Sequence, residues 1–233
     1  MERFGKESYG DGQSKEHDFF MLGVIHRAPE GPALLDQWLD AVSPAVVTLE
    51  FSNYGRRFRE ERGPAYRQRI EEVHNRLKRD NLPCYDNAVS MALSYVEMPF
   101  ELAGALQYGR IHGAPVYLID MDFFSYLRLR EIGKLLDPEN LERLLCEETS
   151  ERNGYEHILA RLYFEEGINT AAYTEEMAVR DEYMSHKIKV LMVRHRGQRL
   201  LHITGWRHLD DPRNFFAPLN PVKVFIYDQA VRI

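Results

Sequence analysis

The sequence predicts an α/β protein with a mainly parallel central sheet and helices on both of its faces. Short apolar runs typical of buried strands alternate with longer segments that have helical spacing. The first of these follow the order strand, helix, strand, which favours a parallel pair joined by a right-handed crossover. The chain of 233 residues is long enough to bury a substantial core.

The strands are predicted from apolar, mostly β-branched or aromatic runs. A further short edge strand is predicted at residues 82–85. The five main strands are predicted at residues 19–25, 45–49, 115–119, 200–204 and 222–227.

Helical periodicity fills the segments between these strands. A long polar helix after residue 50 is predicted to be interrupted at Gly63-Pro64, and the stripe of Tyr66, Ile70, Val73 and Leu77 is predicted to cover the sheet. Further helices are predicted at residues 34–42, 97–112, 123–167 and 173–195, the last two forming a helical insertion between the late strands.

The domain organisation is predicted to be simple. Residues 1–16 are polar and glycine-containing, and we interpret them as a flexible N-terminal arm. The remainder, residues 17–233, shows neither a repeat of solenoid length nor a linker rich in Gly, Pro or Ser. We therefore expect one α/β domain there.

Composition excludes several classes of protein. The formal net charge of -6 argues against a nucleic-acid protein, whose phosphate contacts need a basic face. The two cysteines, Cys84 and Cys146, are far apart, which gives no support to a disulfide framework, a thiolate zinc site or a c-type haem. No run approaches the roughly 20 apolar residues of a membrane span, and no signal peptide is visible. We expect a cytoplasmic protein without membrane or nucleic-acid partners, and a homodimer remains open.

Two GxxH tetrapeptides stand at equivalent positions of the predicted fold. The first ends at His26, just after a strand, and the second ends at His208, just beyond another. Glu50 and Asp120 end two further strands, and open α/β sheets bind ligands at this edge. Imidazole with carboxylate suits zinc, manganese, cobalt or iron. The alternative is that both histidines are hydrogen-bonded loop residues and that Glu50 is a helix-capping partner or pairs with Arg56 or Arg57.

Two helices carry charged residues on their apolar faces. Glu101 lies in the middle of the apolar arc of its helix, so a buried carboxylate that needs a cation, a metal or a proton is predicted. Arg180 lies within or beside the apolar stripe of the late helix. We expect it to be buried and to meet Glu50 or Glu101, because a guanidinium stays charged.

These residues resemble the TraB/TIKI family, which is related to the ChaN and erythromycin-esterase-like proteins. The resemblance runs from about residue 21 to residue 209, and its motifs occur in the family's order. Ser52 and Val179 depart from it, since the family often has acidic residues there. The matching motifs are residues 23–26, 46–50, 101–105, 115–120, 180–184 and 205–209.

The resemblance implies several chemistries. TIKI members are metal-dependent peptidases, the esterase relatives cleave an ester, ChaN-like members bind haem, and other TraB relatives restrain peptide-pheromone signalling. A fold alone does not decide among them. Our first hypothesis is a metal-dependent hydrolase of a peptide or small ester. The alternatives are a haem- or peptide-binding protein without turnover and a regulatory protein whose site is vestigial.

In the hydrolase hypothesis, His26, His208 and Glu50 hold a divalent ion (Mn, Zn or Co) that lowers the pKa of a bound water. Glu50 is also assigned as the general base. A metal-free variant uses the same residues, with Glu50 activating water and a histidine protonating the leaving group.

The remaining assignments concern the substrate and the developing charge. Arg180 is assigned to stabilise an oxyanion or anchor the substrate. Glu101 completes the predicted catalytic group, and Asp120 is assigned to substrate binding with Arg180.

Overall fold

The centre of the molecule is a five-stranded sheet in which every strand pair is parallel. The computed structural model describes residues 18–146, 152–167 and 173–229. The spatial order of the strands is β3-β2-β4-β1-β5. Their bounds are β1 Phe19–Val24, β2 Val46–Leu49, β3 Val116–Leu118, β4 Leu200–Gly205 and β5 Val222–Phe225. The predicted α/β class is confirmed.

Helices occupy both faces of this sheet, as predicted. Side chains of β1 alternate between two apolar clusters, as the twofold period of a strand requires. The Phe20 face packs against α1, α4 and α8, and the Met21 face packs against α9. The helices are α1 Gly31–Val42, α2 Asn53–Arg79, α3 Asp86–Val96, α4 Phe100–His112, α5 Asp122–Leu129, α6 Ile132–Leu135, α7 Pro138–Cys146, α8 Arg152–Glu166 and α9 Glu175–Arg194.

A third apolar cluster belongs to helices alone. Ile70, Val73 and Leu77 of α2 pack with residues of α3, α5, α6 and α7 in this cluster. The predicted stripe of α2 is therefore real, but it covers other helices and not the sheet. The helices of this cluster come from both sides of β3 in the chain: α2 and α3 precede it, and α5, α6 and α7 follow it. The helical layer is therefore not built only from the predicted insertion between the late strands.

Two local predictions were wrong. Helix α2 continues through Gly63-Pro64, and the glycine serves a close approach, because a Cβ at Gly63 would lie 2.5 Å from the main-chain oxygen of Val96. Residues 82–85 form no strand, since the amide of Tyr85 donates to the oxygen of Leu145 at the end of α7.

None of the helices in the described ranges is long and apolar enough to cross a lipid bilayer. The predicted N-terminal arm, residues 1–16, lies outside the described residues. The assignment of residues 17–233 to one domain stays a prediction.

Candidate active site

Strand register brings the two GxxH motifs together. In the parallel pair β1 and β4, Gly23 lies opposite Thr204 and Val24 lies opposite Gly205, so the motifs are offset by a single residue. Each histidine therefore leaves the sheet at the same edge. Gly23 leaves room for the second motif to pack against β1, because a Cβ on Gly23 would lie 3.0 Å from the Cα of Trp206.

Glu50, which follows β2, is the acceptor at the centre of this edge. Its Oε2 accepts hydrogen bonds from the Thr204 hydroxyl at 2.6 Å and from the Gly205 amide at 2.8 Å. Its Oε1 faces Nε2 of His208 at 3.1 Å and accepts a hydrogen bond from Arg180. Burial would raise the pKa of Glu50, but the charges of His208 and Arg180 hold it well below its usual range. Glu50 is thus a fixed carboxylate with four donors.

Arg180 of α9 joins Glu50 to the end of β3. It donates from Nε to Oδ1 of Asp120 at 3.0 Å and from Nη2 to Oδ2 at 2.8 Å, which is a bidentate grip. The residue is 6% exposed and Glu101 is 5% exposed, so both predictions of burial are confirmed. The carboxylates that Arg180 meets are Glu50 and Asp120, whereas Glu101 pairs elsewhere.

His208 lies between two carboxylates and is itself charged. Nδ1 donates to Asp181 and Nε2 faces Glu50. Burial lowers the pKa of His208, but Glu50 and Asp181 outweigh it and raise the pKa to about 10. Both ring nitrogens therefore carry protons at neutral pH. Asp181, which also accepts from the Tyr173 hydroxyl at 2.6 Å, is 0% exposed.

His26 differs from His208 in exposure and in its partners. Its Nδ1 donates to Oε1 of the buried Glu101 at 2.7 Å, and 57% of its side chain is exposed. Nε2 of His26 has no hydrogen-bond partner within residues 18–146, 152–167 and 173–229. Desolvation lowers the pKa of His26, but the charge and hydrogen bond of Glu101, with the charge of Glu50, raise it overall.

Gly205 is the point where these groups converge. A Cβ at this residue would lie 3.0 Å from Nε2 of His26, 3.5 Å from Oε2 of Glu50 and 3.7 Å from Cδ2 of His208. The structure thus brings His26, Glu50 and His208 to one place, as the strand-end argument predicted. The need for glycine is spatial, because its φ of -59° is open to any residue.

Several polar residues of this network were missed by the sequence reasoning. Asp181 directly follows Arg180 on α9, and that neighbour was the signal that could have found it. Thr204 and His202 stand in an apolar strand, where nothing in the local pattern separates them from core residues. His202 is 0% exposed and shares a 3.0 Å hydrogen bond with Thr48, and burial lowers its pKa to about 4.

Arg27 directly follows His26, and its positive charge acts on Arg59. Arg27 adopts a φ of 68°, rare outside glycine, and its guanidinium lies 6.0 Å from the ring centroid of Tyr95. Arg59 donates to main-chain oxygens, one of them on Glu97 at 2.9 Å. Neither arginine forms an ion pair with any residue that the structure describes. Desolvation and then the charge of Arg27 lower the pKa of Arg59 to about 10.

The donor set does not fit a divalent ion as the side chains are placed. Both nitrogens of His208 and both oxygens of Glu50 are engaged, which leaves Nε2 of His26. Across the described ranges, no group of three or more His, Cys, Asp or Glu side chains is arranged to hold a metal ion. The metal site of His26, His208 and Glu50 therefore stays a prediction, and in this arrangement of the described residues only Nε2 of His26 would be free to bind the ion.

Comparison with known proteins adds no identification. No protein-family model, curated protein or solved structure matches this chain. The resemblance to the TraB/TIKI family therefore rests on the motifs themselves and stays a prediction.

Proposed function

We propose that this chain hydrolyses ester or peptide bonds, with His26 as the group that activates water. One observation carries the proposal. His26 is held through Nδ1 by a buried carboxylate, while 57% of its side chain is exposed and Nε2 is unengaged within the described chain. A histidine oriented in this way has the lone pair of Nε2 available as a general base.

The geometry favours His26 over Glu50 for this role. The four donors around Glu50 hold its pKa well below the usual range, so it is a weak proton acceptor. The pKa of His26 is raised, because its desolvation is outweighed by the charges of Glu101 and Glu50, so its neutral imidazole is a stronger base than an ordinary histidine. A base is most effective when its pKa lies near the working pH.

The reaction then needs one proton shuttle. Nε2 of His26 accepts a proton from a water molecule as the water oxygen bonds to the carbonyl carbon. When the tetrahedral intermediate breaks down, protonated His26 returns that proton to the leaving alkoxide or amine. The products are a carboxylic acid and an alcohol or an amine.

Arg180 retains one nitrogen for the substrate. Its Nε and Nη2 are engaged by Asp120 and Glu50, whereas Nη1 lies 4.0 Å from Oε1 of Glu176. We assign Nη1 to the developing oxyanion or to the substrate carbonyl. Asp120 then acts through Arg180 by fixing the plane of the guanidinium.

The substrate is proposed to carry an anionic group. Arg27 directly follows His26, and Arg27 and Arg59 lack carboxylate partners in the described chain. An anion bound near both arginines would reduce the repulsion between their positive charges. A guanidinium suits a carboxylate or a phosphate as that anion. Arg27→Gln should raise KM about 10-fold or more for an anionic ester, with kcat changed much less. For a neutral ester of the same leaving group, KM should not change. An equal effect on both esters would contradict this assignment.

The test of the proposed reaction uses chromogenic esters and short peptide anilides with purified protein. His26→Ala should lower the rate by about 100-fold or more. His186→Ala, at an exposed histidine of α9, is the matched control and should keep the wild-type rate. A His26→Ala protein that hydrolyses as fast as the wild type contradicts the proposal.

A chelator and a metal analysis separate the two forms of the hydrolase hypothesis. Activity that survives prolonged EDTA treatment supports acid–base catalysis by His26. Loss of activity that returns only with manganese, zinc or cobalt supports the metal-dependent form. The absorption spectrum of the purified protein tests the haem alternative.

A further inference from the structure

An exposed apolar seam runs along α9, outside the candidate site. Val179 is 45% exposed, Tyr183 36%, Val190 66% and Val193 76%. The exposed His186 completes the series. The steps between successive members alternate between four and three residues. This is the spacing of the a and d positions in a heptad repeat, which pairs helices side by side.

The seam points directly away from the core. Met184, Ile188 and Leu191 lie on the opposite side of the same helix and are buried against the sheet. A helix that buries one stripe normally presents polar residues on the other. Helix α9 instead carries two apolar stripes on opposite sides, and the sheet accounts for only one of them.

We propose that this seam pairs with the seam of a second copy of the chain, with the two α9 helices antiparallel. Antiparallel pairing places Val179 against Val190 of the second copy and Tyr183 against its His186. The twofold axis repeats both contacts, so one surface is complementary to itself.

Charges beside the seam select this direction. Glu182 and Lys189 both occupy flanking positions of the g type, which face each other in an antiparallel pair. Each Glu182 then meets a Lys189 of the other copy, twice by symmetry. Parallel pairing would also bring Glu182 near Lys187, but it would place Lys189 near Arg194, which is repulsive. Antiparallel pairing also brings Lys187 towards Arg180 of the other copy, but Arg180 is buried and compensated by Glu50 and Asp120, so the contacts between Glu182 and Lys189 decide the direction.

The helix is already folded, which removes the usual obstacle to a short coiled coil. Two heptads are too few to nucleate helices in isolation, but the sheet holds α9 in place before pairing. The seam is nevertheless narrow, and small interfaces are typical of weak complexes. We therefore expect a dimer that forms reversibly as concentration rises.

The experiment is sedimentation velocity on the full chain, from low micromolar to several hundred micromolar protein. The wild type should shift from the 27.3 kDa monomer to twice that mass as concentration rises. Val190→Glu should stay monomeric throughout, because it buries two like charges at the seam. Ile111→Glu, at a 67% exposed apolar residue of α4, is the matched control and should dimerise like the wild type.

A charge exchange tests the direction of pairing. Glu182→Lys or Lys189→Glu alone should weaken dimerisation at least 10-fold, and the double variant should restore it. A wild type that stays monomeric at the highest concentration overturns the proposal. So does a Val190→Glu protein that dimerises normally, and failure of the double variant overturns the antiparallel register. Far-ultraviolet circular dichroism confirms that each variant is folded.

Discussion

Among the charges that act on His26, that of the buried Glu101 raises its pKa most. Glu101 is 5% exposed, its Oε1 holds Nδ1 of His26, and its Oε2 is buried with no partner in the described chain. Glu101 is a positioning residue in the proposed reaction, because it acts through the imidazole. It also supplies the charge that offsets the desolvation of His26.

Glu101→Gln should therefore change the pH profile as well as the rate. Without the carboxylate, desolvation prevails and the pKa of His26 falls. The base is active when neutral, so the acidic limb of the rate profile should move to lower pH. The plateau should drop, because a weaker base accepts the proton less readily. Titration of the His26 ring by NMR measures the same shift without a substrate, and an unmoved pKa would contradict the pairing.

Arg180 combines a structural and a chemical role. Its guanidinium compensates Glu50 and Asp120, and the side chains of all three residues are 8% exposed or less. Arg180→Ala should destabilise the fold by about 3–5 kcal/mol, because two buried carboxylates lose their partner. Arg180→Lys should recover part of this stability but not activity, since an ammonium lacks the planar fork.

The control for Arg180 is an exposed ion pair of the same chemistry. Arg128 pairs with Glu176 at the surface, and its side chain is 61% exposed. Arg128→Ala should cost about 1 kcal/mol or less in a urea titration. Equal costs for the two arginines would mean that burial of the Arg180 network contributes nothing.

At the scale of elements, the end of β4 is built around a glycine that leaves room for the site. Gly205→Ala keeps an allowed backbone, but its methyl would sit 3.0 Å from Nε2 of His26. We expect hydrolysis to fall at least 10-fold, because the methyl occupies the space beside the base. Stability should change by about 1 kcal/mol or less, since the exposed imidazole is able to move aside. Thermal melts check the predicted stability, and hydrolysis rates on the same samples check the predicted loss of activity. An unchanged rate would contradict the placement of the base.

At the scale of the whole molecule, two buried histidines make stability depend on pH in opposite directions. His202 favours the folded state least in acid, and His208 favours it least in alkali. The pKa of His202 is lowered to about 4, so its neutral form favours folding, and that stability is lost as pH falls below about 6.5 towards 4. The pKa of His208 is raised to about 10. Its contribution is complete below about pH 6.5 and is lost as pH rises through 10. The low pKa of Glu50 adds to the loss in acid.

The free energy of unfolding should therefore be greatest near pH 6.5 and fall by a few kcal/mol towards either limit. Urea titrations between pH 4 and pH 10 measure this profile. His208→Gln should flatten the alkaline limb, and His202→Asn should flatten the acidic limb. A wild-type protein whose stability rises steadily from pH 6.5 to pH 10 would show that His208 is not held as an imidazolium.

Much of this architecture was readable from local pattern. Apolar runs predicted the five strands, because strands covered on both faces admit few polar residues. The strand ends then placed His26, Glu50, Asp120 and His208 at one edge, because parallel strands share their direction. The inward-facing Arg180 and Glu101 followed from helical periodicity, since a charge within an apolar stripe has to be buried with a partner.

Only the tertiary structure decided which carboxylates pair with Arg180 and with each of the two histidines. Local pattern could not choose between Glu50, Asp120 and Glu101 as partners of Arg180, because that choice depends on how α4 and α9 sit against the sheet from opposite faces. The same packing separates the two histidines, whose motifs are alike in sequence. His208 becomes a buried imidazolium between Asp181 and Glu50, whereas the side chain of His26 stays exposed and meets one carboxylate among the described residues, on its Nδ1 side. The sequence by itself determined the fold class and the edge where the site lies. The roles within it follow from long-range contacts that set solvation and charge, which a single chain segment does not encode.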